Sequence, residues 1–192
     1  MQALSAKQTG LTHIFGRNGE VMRVLAACLS LILLMLGAVY MCAADEYAGE
    51  WRVFRLFLEI EDGDTVVYRG RHMRFLGVDT PEVRNPELGF WVTQPYGSEA
   101  KEFTRRQIRQ AGRVTYMQDG TDRYDRLLVH LFVDGYPLSV KIVEAGLGYE
   151  TVSVYGDNGF PEITAMILEA AKLHPELPFE NPYLWRSRNR AR

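Results

Sequence analysis

The chain has 192 residues, 47% of them hydrophobic, and a formal net charge of −2. That hydrophobic share is ordinary for a globular protein, and the length suits one domain plus an appendage. The near-neutral balance excludes a general nucleic-acid binder that relies on broad counterion release, so any grip on a polyanion must be confined to one cleft.

The appendage is N-terminal. Residues 24–41 are apolar apart from Ser30, and no charge falls between Arg23 and Asp45. Lys7, Arg17 and Arg23 precede the run, and Ala43-Ala44 follow it. A basic flank, an apolar core and small residues are the layout of a secretory signal cleaved after Ala44. The run is also long enough for a membrane anchor at residues 24–41. The basic flank puts the preceding side in the cytoplasm, so both readings place the rest of the chain outside, secreted or periplasmic in one case and tethered in the other. Met22-Arg23 offers a second start, which would make residues 1–21 an upstream extension. The organisation expected is 1–44 signal or anchor, 45–185 folded domain and 186–192 basic tail. Both cysteines, Cys28 and Cys42, lie in the first segment, so the exported domain has no disulfide and its core must hold it together.

Residues 51–60 are rich in β-branched, aromatic and leucine residues and predict a strand, turned by Asp62-Gly63 into a second over 65–68. Arg69-Gly70 turns again into a third over 71–78, which Thr80-Pro81 ends. Residues 82–97 carry two prolines and two glycines without periodicity and predict a long loop, a type that in compact domains is often functional. Ser98 is the expected cap of a helix to about Ala111. Strands follow over 113–118 and 127–133. A helix capped by Ser139 ends near Gly146, and another covers 163–173. The tail holds Trp185 and four arginines, Arg186, Arg188, Arg190 and Arg192, and reads as a frayed basic end. Five strands at this spacing predict an α+β domain, a small closed barrel with three helices packed around it.

Asp64 follows the first turn and Asp79 closes the third strand, and the Arg69-Gly70 turn folds the two toward one end. Paired carboxylates repel unless a cation or proton intervenes, and oxygen-only donors favour calcium or magnesium. Asp62 and Asp64 read equally well as simple turn formers. Glu82 stands where it could deprotonate a water or remain a solvated loop acid. Arg74 lies inside a strand, where a charge needs a partner. Strict alternation sets it opposite Asp79, so a bulge at Gly77 is expected to restore the match. Arg126 begins the fifth strand. An arginine fork suits two phosphate oxygens, while Asp122 and Asp125 offer a purely structural pairing. Lys101, Arg105 and Arg109 form one helical face, expected to be solvated. Carboxylates and arginines in this set point to metal-assisted cleavage of a phosphodiester.

Taken in order, Asp62-Gly63-Asp64-Thr65, the run Arg74 to Glu82 (RFLGVDTPE), Tyr96-Gly97-Ser98-Glu99-Ala100, the run Asp122 to Leu128 (DRYDRLL), Val143-Glu144-Ala145-Gly146-Leu147 and Leu184-Trp185 resemble the staphylococcal nuclease (thermonuclease) family over residues 51–185. The resemblance implies a five-stranded OB-fold barrel with three helices, acting as a monomer, and calcium-dependent hydrolysis of DNA and RNA to 3′-phosphate products. By position it implies Asp64, Asp79 and the Thr80 carbonyl as Ca2+ ligands. It implies Glu82 acting on the attacking water, Arg74 and Arg126 on the phosphate, and Arg123, Tyr124 and Tyr155 on the nucleotide. Four features depart from the family pattern. Ser153 stands where a second tyrosine is expected, Asp125 replaces a glycine, and the loop after Glu82 and the segment 173–184 are longer. The rival reading is a non-catalytic OB-fold domain that holds single strands or contacts a surface partner. The retained acids and arginines count against it.

Overall fold

The computed structural model describes residue 28, residues 51–53 and residues 57–190. Two compact units are distinguished, Met1–Tyr47 and Ala48–Arg192. Of the first, only Cys28 is described, helical and exposed. The rest of the expected signal or anchor, with its cleavage point, lies outside the described residues. Among the described residues no helix is long and apolar enough to cross a membrane.

The second unit is α+β. Its strands are β1 (Trp51–Arg52), β2 (Leu58–Ile60), β3 (Thr65–Tyr68), β4 (Arg71–Phe75), β5 (Val78–Asp79), β6 (Val114–Thr121), β7 (Leu127–Val133), β8 (Tyr136–Pro137) and β9 (Tyr149–Glu150). Its helices are α1 (Gly97–Gln110), α2 (Leu138–Glu144), α3 (Val152–Tyr155), α4 (Pro161–Ala171) and α5 (Pro182–Asn189). One sheet runs β1-β6-β7-β4-β3-β2, with β8 also on β7, while β5 pairs with β9 in a small second sheet. The β4–β7 pair is parallel and the other pairs are antiparallel.

This corrects the expected closed five-stranded barrel with three helices. The hydrogen-bonded path is open, with β1 and β2 as its ends, and five α-helices accompany it among residues 51–190. Two local causes add two strands, and the short β8 and β9 add the other two. The expected first strand divides, β1 going to β6 and β2 to β3. The expected third strand breaks at Leu76-Gly77, where Gly77 has φ 80°. That left-handed turn replaces the expected bulge and redirects the chain into β5. A side chain at Gly77 has no room, since a Cβ would lie 2.3 Å from Ile167 Cδ1 of α4.

The core sits between the sheet and α1, α2 and α4. Val66, Met73, Phe75, Val129 and Leu131 come from the strands, and Ile108, Leu138, Ile142 and Ile167 from the helices. Helix ends differ from the expected caps. Ser98 falls inside the first turn of α1, whose N-cap is Tyr96 with φ 71°. Ser139 lies inside α2, buried, behind an N-cap at Pro137. Residues 186–189, read as part of a frayed basic tail, belong to α5. Asn181 Oδ1 accepts from Tyr183 N, and Pro182 fits the first turn because its missing N–H has no partner to lose there.

Candidate functional site

Local turns bring the acids together. In the β2–β3 hairpin, Asp62 Oδ1 accepts from Asp64 N at 3.0 Å, and the backbone N–H groups of Glu61 and Asp62 both donate to Thr65 O. Gly63 permits a close approach, because a Cβ there would meet Thr80 Oγ1 at 2.7 Å and Ala100 Cβ at 2.8 Å. Asp64 is thereby pressed against the start of the 80–97 loop. Its Oδ2 accepts from Thr80 N at 2.6 Å and Thr80 Oγ1 at 2.9 Å, and its Oδ1 accepts from Thr65 Oγ1 and from Arg74. With no exposure to solvent, the carboxylate is stabilised by these donors.

Arg74 joins the two aspartates. One guanidinium nitrogen contacts Asp64, and the other donates to Asp79 Oδ1 at 2.6 Å and to Val78 O at 3.3 Å. The Gly77 turn makes this possible by bringing Asp79 round to the side of Arg74. Asp79 and Glu82 then share a residue that the sequence reading left in the tail. Arg186 of α5 donates from Nη2 to Asp79 Oδ2 at 2.9 Å, and from Nη1 to Asp79 Oδ1 at 3.0 Å and Glu82 Oε1 at 2.7 Å. Burial pushes the Asp79 carboxyl up, but Arg74 and Arg186 outweigh it and hold it below the usual carboxylate range. Burial also pushes Glu82 up, and there the Arg186 pull is too small to reverse it. Asp62 is raised by burial against the pull of Arg74. Burial disfavours the Arg186 cation, yet its two carboxylate partners raise its pKa well above the ordinary value.

Glu82 is held from behind by Gln94, which is 1% exposed. Gln94 Oε1 accepts from Glu82 N at 3.2 Å, and its Nε2 donates to Glu180 O at 2.6 Å. The loop is therefore ordered by a side chain that ties it to the segment before α5. Trp185 packs on Phe90 of the same loop with ring centroids 5.9 Å apart.

The turn between β6 and β7 forms another wall. Asp122 Oδ1 accepts from the backbone N of Tyr124 at 2.9 Å and of Arg126 at 3.0 Å, and Asp122 Oδ2 receives Arg126 Nε at 2.8 Å. The structural Arg–Asp pairing thus exists, and it aims Arg126 at the cleft rather than withdrawing it. Arg123 and Arg126 lie over the Tyr124 ring at 4.8 and 5.7 Å, and Asp125 takes the left-handed turn with φ 62°. Hydrogen bonds from Arg190 and Arg123 lower the Tyr124 hydroxyl pKa.

A cleft of about 990 Å³ receives Arg74, Asp79, Glu82, Arg123, Tyr124, Arg126 and Tyr155 from the expected set. Asp64 and Thr80 do not line it. They lie beneath its floor, 0% and 2% exposed, and Asp64 reaches it through Arg74. Arg186, Gln94, Tyr183 and Arg190 were missed. Only Asn181-Pro182, a helix-start signal, marked that the segment holding Tyr183, Arg186 and Arg190 is ordered.

Among the described residues no three acid, histidine or cysteine side chains form a ready cation cage. The oxygen donors nevertheless fit a hard divalent ion. Asp64 and Asp79 converge on a single positive group, and Asp79 and Glu82 on another, so a cation would take over charge that the two guanidiniums now supply.

Acids and arginines from an α+β domain thus meet in one cleft. The family model described as "Staphylococcal nuclease homologue" matches residues 72–172, more than half of the chain, and the chain belongs to that family. It is 34% identical over 95 residues to the thermonuclease of Staphylococcus hyicus, covering 47% of this chain and 54% of that one. It is 36% identical over 93 residues to endonuclease YncB of Bacillus subtilis (strain 168), covering 45% and 42%. It is 34% identical over 93 residues to the SPbeta prophage-derived endonuclease YokF of the same organism, covering 45% and 30%. The chain thus spans about half or less of the length of these relatives. Asp64 precedes the stretch matched by the family model, and Arg186 follows it.

Proposed function

We propose that the protein is a metal-dependent phosphodiesterase that cuts DNA and RNA with calcium, leaving 3′-phosphate ends. The observation that carries this reading is the meeting of Asp79, Glu82, Arg74 and Arg126 in one cleft, with Asp64 bonded to Arg74 from below. Family membership and the printed names of the relatives support it. The same membership supports reading the open mixed sheet with its helices as OB-type.

In this reading Asp64, Asp79 and the Thr80 carbonyl hold Ca2+, which supplies Lewis-acid neutralisation of the phosphate when bound. Glu82, whose pKa is raised by burial, accepts a proton from water at its carboxylate as the water oxygen bonds to phosphorus. Arg74 and Arg126 place guanidinium charge on the non-bridging oxygens where negative charge grows. The phosphorus–O5′ bond breaks, and the departing oxygen takes a proton from solvent. Arg123, Tyr124 and Tyr155 hold the neighbouring nucleotide, the two exposed rings offering stacking faces. The N-terminal pattern supports export, as a cleaved signal or as a tether with the domain outside, acting as a monomer.

One observation favours a second reading, a non-catalytic domain that binds single strands. Both oxygens of Asp79 already have guanidinium partners. A single experiment separates the two: the full chain is incubated with circular DNA and with RNA in calcium, magnesium or chelator, beside Glu82→Gln and Arg126→Ala. Calcium-dependent cutting by the parent, reduced by at least a hundredfold in both variants, supports the hydrolase. Strand binding with no cutting supports the second reading.

A further inference from the structure

We propose that α5 carries a strand-binding subsite next to the scissile position, with Tyr183 stacking on a nucleobase and Arg190 meeting a backbone phosphate. The inference rests on the nuclease reading and extends it to residues beyond the stretch matched by the family model.

The helix shows two faces. Trp185 is buried against Phe90, while Tyr183, Arg186, Ser187 and Arg190 line the cleft. Those four stand at spacings of three, four and seven residues, which is one side of an α-helix. Arg186 is committed to Asp79 and Glu82, so it fixes where this face lies relative to the acids. Tyr183 is 65% exposed, and its backbone N is held by the Asn181 cap. An aromatic ring presented to solvent inside a charged cleft matches the π-face of a base, whose stacking is sequence-tolerant.

Arg190 closes the other end of the face. Its Nε donates to Leu88 O at 3.1 Å, its guanidinium lies 5.7 Å from the Phe90 ring centroid, and it reaches the Tyr124 hydroxyl. It therefore joins α5 to the wall that holds Arg123 and Arg126. Arg190, the C-cap of α5, stands seven positions after Tyr183, a rise of about 10 Å along the helix axis, which is the span of one to two nucleotides in an extended strand. The occupant is a single strand because base stacking on Tyr183 needs an unpaired base.

The test compares Tyr183→Ala, Tyr183→Phe and Arg190→Ala with the parent, using full-length protein. Cleavage is measured on a single-stranded octanucleotide and on a chromogenic mononucleotide diester, and octamer binding is measured by fluorescence anisotropy in chelator. Tyr183→Ala is expected to lower the octamer-to-diester ratio of kcat/KM by at least fivefold, mainly through KM, and to weaken octamer binding by the same factor. Tyr183→Phe restores both, since the ring and not the hydroxyl is required. Arg190→Ala flattens the salt dependence of binding by about 0.7 in log–log slope, the value of one phosphate contact on a single strand. An unchanged ratio in Tyr183→Ala, or equal losses on the two substrates, overturns the subsite, as does a parent that binds no octamer. A parent that binds the octamer through Tyr183 but cuts neither substrate defeats the hydrolase reading and upholds the subsite.

Discussion

Arg186→Ala tests whether α5 is part of the site's electrostatics. Its guanidinium makes ion pairs of 2.9 Å to Asp79 and 2.7 Å to Glu82, whose side chains are 8% and 11% exposed. Removing one partner from a fully buried pair costs about 3–5 kcal/mol. Here the arginine is 28% exposed and water can replace it, so a loss of about 2 kcal/mol is expected. For a domain of this size that lowers the melting temperature by about 4–8 °C in chelator. Calcium should then recover more stability in the variant than in the parent, because no guanidinium has to be displaced from Asp79. If the cation binds tenfold more tightly, the extra stabilisation at saturation is about 1.4 kcal/mol, or about 3–5 °C. The assay is a set of calorimetric melts across a calcium titration. The reasoning fails if the variant melts within 1 °C of the parent in chelator, or if calcium raises the two melting temperatures equally.

Four further outcomes are expected. Burial holds the His130 imidazole at about 4 against an ordinary 6.5, and its Nδ1 is buried without a partner. The folded state therefore favours neutral histidine, its contribution is complete above pH 6.5, and about 3 kcal/mol is lost as pH falls toward 4. His130→Phe, which keeps a ring against Phe160, should flatten that part of an acid-denaturation curve. Glu82 acts as carboxylate and its pKa is raised, so turnover should climb with pH through a value above the usual glutamate range. Because Arg186 lowers that pKa, Arg186→Ala should move the limb of the pH–rate profile to higher pH. Gln94→Leu leaves Glu82 N and Glu180 O without their partner and should cost about 2 kcal/mol in urea unfolding, with lower kcat. Gly77→Ala meets Ile167 at 2.3 Å in a left-handed backbone and should destabilise by about 2–4 kcal/mol in the same assay.

What could be read from the chain alone follows the range of the forces involved. The β2–β3 and β3–β4 hairpins, α1 and β7 are marked by local turn chemistry and periodicity, and they stand close to their expected places. So does the cleft set from Arg74 to Arg126, whose members sit at turns and strand ends. The Gly77 break was misread as a bulge because a glycine signals an unusual φ without saying how far the chain will bend. The cap at Tyr96 was missed because its conformation is imposed by packing, against its own preference. Arg186 carries no local mark of its role. Its partners Glu82 and Asp79 lie 104 and 107 positions earlier, and a single guanidinium in a run of arginines looks like any other.

That separation bears on when the protein becomes competent during synthesis. A growing polypeptide that has left the ribosome as far as α4 already contains Asp64, Asp79, Glu82 and Arg126, yet nothing holds Glu82 from the solvent side. The clasp comes only with α5, which carries Arg186. Glu82 is therefore braced by Arg186 only late, after the residues of the sheet have packed.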